Sequence, residues 1–431
     1  MASKYFRKPG LEIPSEDFGP MLSTRSRTVR ASLRECLLKY SLAALLILAM
    51  PLMASADFLS LMSSDSGATA ASGYLGSGAG FTYYDVSGQK VGAFSWHPNY
   101  KFGAWSAGID LNVLMADSRP AEFQDVVLRY AEYDDGMKGL RYGFLTSVTY
   151  GWGLLMSNYS TVAGGPVQLT NKQVGLKGYA YWGTNSIGAM GTWSNVYALR
   201  LTQKPIAAMP WVTTGQTIVA DTDGRQIKDS SGVVHQYPAV SGWALDAAMP
   251  FGVGGDLFTE LAGLSNNSTG LSAGYKWGLD LFIANVGVTA AYRTLGKGFI
   301  PGYFGQDYET NPIDLTSAEA FKGSAGYLLE LKASAMQIAS LAVLYETYGG
   351  SNSINATATA AIDKISASGY YRNPNFADFR QASLDTGALM GAMIGYKIAA
   401  GTTLVTNYKR YWDPTQGQLV TDKTMEIRFD F

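Results

Sequence analysis

The sequence predicts an all-β protein, a single transmembrane antiparallel β-barrel with an even number of strands, nominally 20 and within the range 16–20. Three observations support this fold class. Apolar and polar residues alternate along most of the chain, the segment 41–53 has the pattern of a secretory signal, and charged residues make up only 16% of the chain. Ordinary soluble proteins carry roughly 25% charged residues. A surface in contact with lipid needs fewer charges, which accounts for the deficit.

The start of the chain predicts a leader and a cleavable signal peptide of the Sec type. A basic stretch at 30–39 precedes the apolar run at 41–53, and an Ala-Ser-Ala site follows at 54–56. These are the parts of a secretory signal, and the run is too short to cross a bilayer as a helix. Because the polar stretch 1–29 is long for a leader, we expect translation to start downstream, with Met21 as one candidate. The expected segments are a leader and signal peptide at 1–56, a flexible periplasmic lead at 57–77 and a transmembrane β-barrel at 78–431.

Composition excludes several functional classes for the remainder of the chain. The only cysteine, Cys36, lies in the leader, so the exported chain has no disulfide and no thiol chemistry. Removing 1–56 leaves 25 basic and 30 acidic residues, and no basic stripe points to nucleic acid. No later segment runs eighteen apolar residues, so we expect no transmembrane helix.

Alternation is clearest between Phe102 and Met115. There Trp105, Ile109 and Leu111 share one face of an extended strand with other apolar residues, and polar residues such as Asp110 share the other. The run is longer than the usual soluble strand of about 5–6 residues and matches the roughly 9–11 residues of a tilted membrane strand. The same period recurs at 174–182, 286–293, 325–334, 354–362 and 384–398.

Connections of two lengths are predicted, as in a barrel that has long loops at one end and tight turns at the other. Weak strands at 211–220 and 365–371 bring the strand count to twenty, and every long connection then follows an odd-numbered strand. Long connections are expected at 151–171, 221–238, 295–322 and 372–383, and tight turns at 97–101, 134–139, 250–255 and 399–401.

The last predicted strand, 424–431, reads T-M-E-I-R-F-D-F. Met425, Ile427, Phe429 and Phe431 fall on one face, and the charged residues fall on the other. An alternating last strand with a terminal phenylalanine resembles the C-terminal assembly signal of bacterial outer-membrane β-barrel proteins. The resemblance implies that the barrel-assembly machinery reads Phe429 and Phe431, and that the chain resides in the cell outer membrane.

A second resemblance covers the middle of the chain. The segments 125–143, 151–160 and 298–304 are similar to uncharacterised porin-like outer-membrane proteins of diderm bacteria. The resemblance implies contact with outer-membrane lipid, admits a homo-oligomer and carries over no catalytic residue. The expected function is a porin-like channel for passive diffusion of small hydrophilic solutes, with no enzymatic activity and no cofactor or metal.

Charged residues on the predicted polar faces are the candidates for lining the pore. Such side chains set the selectivity of a channel when they form rings at its narrowest point. The alternative is that they pair across strands and only solvate the wall. We also expect the 295–322 connection to fold inward and narrow the passage. The candidates are Asp110, Arg141, Arg200, Asp246, Arg293, Glu330, Lys332, Glu426 and Arg428.

Other motifs suggest chemistry only weakly. The segment 270–274 matches the G-x-S-x-G of α/β-hydrolases, but that motif requires a strand-to-helix elbow and its flanks alternate as a strand. Asp221-x-Asp223-Gly224 is expected to be a surface turn, because it lacks the remaining ligands of a calcium loop. Two alternative functions stay open: a structural or adhesive barrel with a plugged lumen, and an outer-membrane barrel hydrolase that uses His235. A secreted β-sandwich is the alternative fold.

Overall fold

The computed structural model describes residues between 79 and 429, and both ends of the chain lie outside the described residues. The predicted signal peptide, periplasmic lead and terminal Phe431 therefore fall outside them. Within the described ranges, no helix has the length and apolarity that a membrane crossing requires. The undescribed internal positions are 87–88, 97, 115–125, 162–173, 206–208, 229–232, 282, 307, 310–311, 316–322, 337, 374, 377–387 and 414–417.

The described part of the chain forms β-strands joined by turns and loops. The strands are β1 Ala79–Val86, β2 Gln89–Trp96, β3 Asn99–Phe102, β4 Trp105–Leu114, β5 Val126–Asp134, β6 Lys138–Gly143, β7 Val148–Tyr150, β8 Met156–Tyr159, β9 Gly175–Trp182, β10 Asn185–Thr192, β11 Val196–Gln203, β12 Thr213–Asp221, β13 Arg225–Lys228, β14 Val234–Tyr237, β15 Val240–Pro250, β16 Gly255–Leu264, β17 Thr269–Asp280, β18 Ala284–Leu295, β19 Ser324–Ala335, β20 Ala339–Tyr348, β21 Ser351–Ile362, β22 Ile365–Asn373, β23 Leu389–Ala399, β24 Thr402–Asp413 and β25 Gln418–Phe429.

One antiparallel sheet closes on itself to form a barrel. Its first and last strands, β1 and β25, pair along seven residues from Ala79↔Phe429 to Asp85↔Lys423. β2 and β3 follow each other along the same neighbour, β4, and together occupy one position in the wall. The hairpins β7–β8 and β13–β14 form separate two-stranded sheets. The wall therefore has twenty strand positions, which confirms the predicted all-β fold class and the nominal strand number.

Both weak strands of the prediction are present, as β12 and β22. The tight turn predicted at 97–101 is wrong, because β3 occupies most of this range and the chain reverses at 103–104. Pro98 has no N–H to donate to the ladder, and its carbonyl still accepts from Ile109 N at 3.1 Å. The hydrogen-bond ladder with β4 is thus interrupted between β2 and β3, but the chain does not reverse its direction there. The turn that follows uses Gly103 at a φ of 58°.

The two ends of the barrel differ in their connections, as predicted. Every connection of more than ten residues follows an odd-numbered position in the wall, and these connections lie at what we call the long-loop end. The opposite, short-turn end has connections such as 103–104, 183–184, 363–364 and 400–401. The three longest described connections at the long-loop end join β6 to β9, β12 to β15 and β18 to β19.

Side chains alternate between the outer and inner faces of the wall. In β15, Trp243 and Leu245 are 40% and 50% exposed on the outside, whereas Ala244 and Asp246 are 1% and 8% exposed on the inside. In β25, Met425 is half exposed and its neighbour Glu426 is buried. The outer face is consequently an exposed apolar belt. Soluble monomers rarely expose continuous apolar patches larger than a few hundred Å².

Candidate functional site: the barrel interior

Two long connections fold into the barrel and form one body, which we call the plug and define as the described residues of 144–161 and 296–315. The β7–β8 hairpin lies in the first segment, and a parallel bridge joins Met156 to Phe304 in the second. Backbone hydrogen bonds hold the two together: Gly302 N donates to Leu154 O at 2.8 Å and Ser157 N donates to Phe304 O at 3.2 Å. The prediction that 295–322 folds inward is thus confirmed for its described residues. The inward fold of the first segment, 144–161, was not predicted.

An apolar core joins the plug to one side of the inner wall. Small inner-face residues make room for it, and Phe299 lies so close to Gly270 that a Cβ at this position would come within 2.5 Å of its ring. Burial of large side chains against small ones gives the close packing of a protein interior. The wall members of this core are Met190, Val196, Ala198, Val219, Val240, Ala244, Ala262, Leu264 and Leu295, with the partly buried Tyr348 packed against them.

The tip of the plug is fixed to the wall by Glu260, a fully buried residue of β16. Its Oε2 accepts from the backbone N–H groups of Trp152 and Leu154, each at 3.0 Å. A carboxylate that accepts two backbone N–H groups makes charge-assisted hydrogen bonds, which are stronger than neutral ones. Gly151 has a φ of 70°, and a Cβ on it would lie 2.6 Å from Glu260 Oε1. The approach therefore requires glycine.

Trp152 extends the contact across the inner wall. Its ring stacks on Phe258 with centroids 4.2 Å apart and an interplanar angle of 10°, and Lys276 Nζ lies 6.0 Å from the ring centroid. Leu328 and Leu344 belong to the same apolar group. The plug thus reaches from its own hairpin to β19 and β20.

At the long-loop end, Arg225 ties three connections together. Arg225 Nη1 lies 3.4 Å from Asp221 Oδ2, and its Nη2 lies 3.4 Å from Glu309 Oε1. The guanidinium carbon is 5.1 Å from the centre of the Tyr308 ring, within cation–π range. All three charged side chains are at most 8% exposed. We call this group, with Tyr159, the Arg225 cluster.

Each carboxylate of the Arg225 cluster has further donors. The Tyr308 hydroxyl donates to Asp221 Oδ2 at 2.7 Å. Glu309 Oε1 accepts from the Tyr159 hydroxyl and from Ser194 Oγ, the latter at 2.8 Å. Tyr159 and Glu309 belong to the two segments of the plug, whereas Ser194 lies in the turn between β10 and β11. The cluster therefore fastens the plug to the rim of the barrel.

Burial dominates the electrostatics of this cluster. It raises the pKa of Glu309 above its ordinary value, although Arg225, Tyr159 and Ser194 each favour the charged form. Burial and the hydrogen bond to Asp221 also raise the pKa of Tyr308. The free-energy cost of removing the charged Glu309 carboxylate from water exceeds the stabilisation of the charged form by these partners.

Three of the nine sequence candidates, Arg200, Asp246 and Arg293, belong to two ion pairs that each reach over a neighbouring strand. Arg200 on β11 contacts Asp246 on β15 through Nη1–Oδ2 at 2.6 Å and Nη2–Oδ1 at 2.9 Å. Gly215 lies between them on β12, where a Cβ would come within 2.4 Å of Arg200 Nη2. Arg293 on β18 similarly contacts Glu346 on β20 at 3.0 Å. The inner-face residue between them in β19 is again a glycine.

The other six candidates are paired as well. Lys332 Nζ lies 2.6 Å from Glu330 Oε1, and Arg428 Nη2 lies 3.0 Å from Glu426 Oε2. The remaining pairs are Asp110 with Arg129 at 3.5 Å and Arg141 with Glu132 at 3.1 Å. All nine predicted positions thus take part in ion pairs, as in the alternative in which wall charges neutralise one another.

Several polar residues of the interior were not predicted. Glu260 was missed because β16 carries apolar residues on both faces. One face lies on the outside of the barrel, and the other packs against the plug. Arg129 was missed because a register shift opposite Gly108 and Ile109 breaks the period of two in β5. Arg225 and Glu309 lie in connections, where periodicity gives no signal.

A polar recess lies at the short-turn end. A cavity of about 280 Å³ is lined by residues including Asn99, Lys101, Tyr130 and Glu132. The Arg141 guanidinium carbon lies 4.4 Å from the Tyr130 ring centre. The recess therefore belongs to the charged inner wall around β3, β5 and β6.

The plug leaves one side of the inner wall uncovered. Its apolar contacts lie on β10–β12, β15, β16 and β18–β20, and across the described ranges no member of either apolar cluster comes from β21–β25. Inner-face residues there, such as Thr357, Ser368 and Asn407, keep partial solvent exposure, and the side chain of Lys332 on β19 is 65% exposed. Inside a closed barrel, this exposure means that the part of the interior beside these residues is open to water.

The structure does not support the enzyme-like motifs. Ser272 is buried within β17, so the segment 270–274 is not a strand-to-helix elbow. Asp221 Oδ1 accepts from Asp223 N and Gly224 N, as expected of a turn. His235 lies opposite Ile227 in the β13–β14 hairpin. In the part of the chain that the structure describes, no group of three His, Cys, Asp or Glu side chains could hold a metal ion.

Comparison with known proteins gives only remote structural similarity. No family model matches the chain, and no curated protein matches it. Among solved structures, OccAB3 of Acinetobacter baumannii is 11% identical over 82% of this chain and 97% of its own, with a TM-score of 0.35. A BenF-like porin from Pseudomonas fluorescens Pf-5 is 10% identical over 82% and 96%, with a TM-score of 0.37. OccK2 (OpdF) of Pseudomonas aeruginosa in complex with glucuronate is 10% identical over 82% and 95%, with a TM-score of 0.37.

Proposed function

We propose that the chain is a porin-like outer-membrane channel for the passive diffusion of small hydrophilic solutes. The observation that carries the proposal is the side of the barrel interior, along β21–β24, where inner-face polar residues stay exposed to water inside a wall whose outer face is apolar. A closed barrel satisfies all backbone hydrogen bonds within the wall, which makes it one of two architectures that can cross a bilayer.

The outer surface supports a position in a membrane. Large apolar residues at mid-strand, such as Ile218, Leu245 and Ile394, are 50–60% exposed. Exposed aromatic residues gather near the short-turn end, as expected of a membrane–water interface. They are Phe102, Trp105, Trp182, Trp211 and Phe251. We further propose export by the Sec-type signal at 1–56, insertion by the barrel-assembly machinery through the last strand, and a long-loop end that faces the outside of the cell.

The mechanism we propose is filtering by size beside the plug and by the charged pairs of the wall. Paired charges create local dipoles, so selection by net charge is weaker than in a channel with rings of one sign. In planar bilayers, purified protein should open stable, ion-conducting channels. Deletion of 297–322 should raise the single-channel conductance, because it removes half of the plug. An unchanged conductance would exclude the plug from the mechanism.

A second candidate, a structural or adhesive barrel with a closed lumen, is favoured by the extent of the plug. Its two segments are joined by backbone hydrogen bonds and share one buried apolar core with the wall. Correctly folded protein that opens no conductance in bilayers would support this candidate and exclude the channel. The barrel hydrolase has no such support, since Asp221 is bonded to Tyr308 and Arg225.

A further inference from the structure

The uncovered wall carries a continuous row of uncharged polar side chains. Strand register places them side by side from β19 to β25, and we call this set the polar row. Its neighbours in order are Ser334, Ser340, Thr359, Ser368, Met393, Asn407 and Thr424, of which only Met393 lacks a hydroxyl or amide.

The polar row lies on the inner face. It shares the period of two with Lys332 and Glu426, whereas the alternate positions, such as Leu331, Ile394 and Met425, are exposed apolar residues of the outer belt. Ser340 Oγ and Thr359 Oγ1 are 2.6 Å apart and hydrogen bonded. Their exposed and partly exposed side chains retain further capacity to donate and accept.

The row also runs along the barrel axis. Ser334 and Ser340 lie one residue from the ends of β19 and β20 at the short-turn end. Asn407 and Thr424 stand five residues from the short-turn ends of β24 and β25, near the middle of these strands. The row therefore climbs from the short-turn edge toward the middle of the wall. Its members from Ser334 to Asn407 keep at least partial exposure, whereas Thr424 at its end is 5% exposed.

Two ion pairs flank the row, and Lys397 lies on the same face of β23 closer to the short-turn end. The Glu330–Lys332 pair flanks it on β19 and the Glu426–Arg428 pair flanks it on β25, with N–O distances of 2.6 and 3.0 Å. Two further cationic residues, Arg372 and Lys409, lie on the same wall nearer the long-loop end, and each interacts with other groups of the protein.

From this geometry we infer that the polar row is a path for neutral polyhydroxylated solutes, that is, sugars and polyols, within the proposed channel. Successive hydroxyl and amide groups exchange hydrogen bonds with solute hydroxyls at little net cost. Passage requires binding that is weak and distributed over several sites, which such a row supplies. The members of the row carry no charge, so a carboxylate of the same size gains no ion pair from them and loses part of its hydration. The inference rests on the proposed channel function.

The test compares two solutes of one chain length, sorbitol and gluconate, in liposome-swelling assays with the full-length mature protein. The wild type should admit sorbitol at least twofold faster than sodium gluconate. The triple variant Ser340→Ala, Thr359→Val and Ser368→Ala should lose this preference through slower sorbitol entry. The control Thr406→Val makes the same hydroxyl-to-methyl change on the exposed outer face of β24 and should retain the preference.

The outcomes separate this inference from the channel itself. Equal rates for sorbitol and gluconate in the wild type, or a triple variant with an unchanged preference, would refute the role of the polar row and leave the channel standing. Conductance without any sorbitol entry would also refute it. Absence of conductance and of swelling with either solute, in protein shown to be folded, would refute the channel and the inference with it.

Discussion

Substitution of Arg225 by methionine should release the plug from the rim of the barrel. The change keeps an unbranched stem but removes the cation that pairs with both Asp221 and Glu309, whose side chains are 0% and 3% exposed. Removing one partner of a buried ion pair costs about 3–5 kcal/mol. Glu309 keeps its bonds from Tyr159 and Ser194, so we take the lower end of this range. A loss of about 3 kcal/mol shifts the equilibrium between docked and released plug by about 100-fold.

Single-channel recording measures this shift directly. Arg225→Met should spend a far larger fraction of time in a state of higher conductance than the wild type, and the segment 297–322 should become more sensitive to protease. The matched control is Gln226→Met, on the same hairpin but exposed and hydrogen bonded to Gln236, which should behave as the wild type. Identical open fractions in Arg225→Met and wild type, with both barrels folded, would show that the Arg225 cluster does not hold the plug.

Three further predictions follow from the wall and the rim. Leu245→Arg, on the outer face, should destabilise the folded barrel in lipid by about 2–4 kcal/mol, as measured by equilibrium unfolding. Thr357→Arg, on the water-accessible inner face, should destabilise it far less. Equal losses of stability would contradict the assigned faces. Gly215→Ala should cost about 1–3 kcal/mol, because the new methyl group overlaps the ion pair beside it, while Gly278→Ala, with no atom within 4 Å of its Cβ, should stay within about 0.5 kcal/mol. The raised pKa of Glu309 means that protonation of its carboxylate favours the docked plug. This stabilisation of the docked plug is complete below the ordinary glutamate pKa and is lost as pH rises through the raised value. Glu309→Gln should abolish this pH dependence of the open fraction, and a pH dependence that persists in the variant would assign it to another group.

The barrel itself could be predicted because the residues of its strands alternate between the outer and inner faces with a period of two. The alternation around Asp110 and Glu426, and the spacing of the turns, determine the faces and the order of the strands. The prediction was wrong at Pro98, where the missing N–H interrupts the hydrogen-bond ladder. In the sequence, a proline at such an interruption has the same pattern as a proline in a turn. Local rules of this kind do not distinguish a broken strand from a reversed one.

The interior was less accessible to sequence reasoning. The nine charged positions were predicted from their face, yet their partners depend on which strands lie side by side. The Arg200–Asp246 pair reaches across an intervening strand at Gly215, and no spacing rule gives that contact. Glu260 and Arg225 act on connections that fold back from distant parts of the chain. Such contacts follow from tertiary packing, and the sequence offers only their residue types.

Thiol accessibility along β21 tests the central claim most directly, because the chain has no cysteine beyond Cys36 in the predicted leader. Single cysteines introduced in turn from 354 to 360 should react with a membrane-impermeant maleimide in a strict period of two when the barrel is in lipid vesicles. Asn355→Cys, Thr357→Cys and Thr359→Cys should be labelled, whereas Ala356→Cys and Ala358→Cys should react only after the membrane is dissolved and the barrel unfolded. Uniform labelling, or labelling confined to the even positions, would contradict an account in which this wall has water on its inner face and hydrocarbon on its outer face.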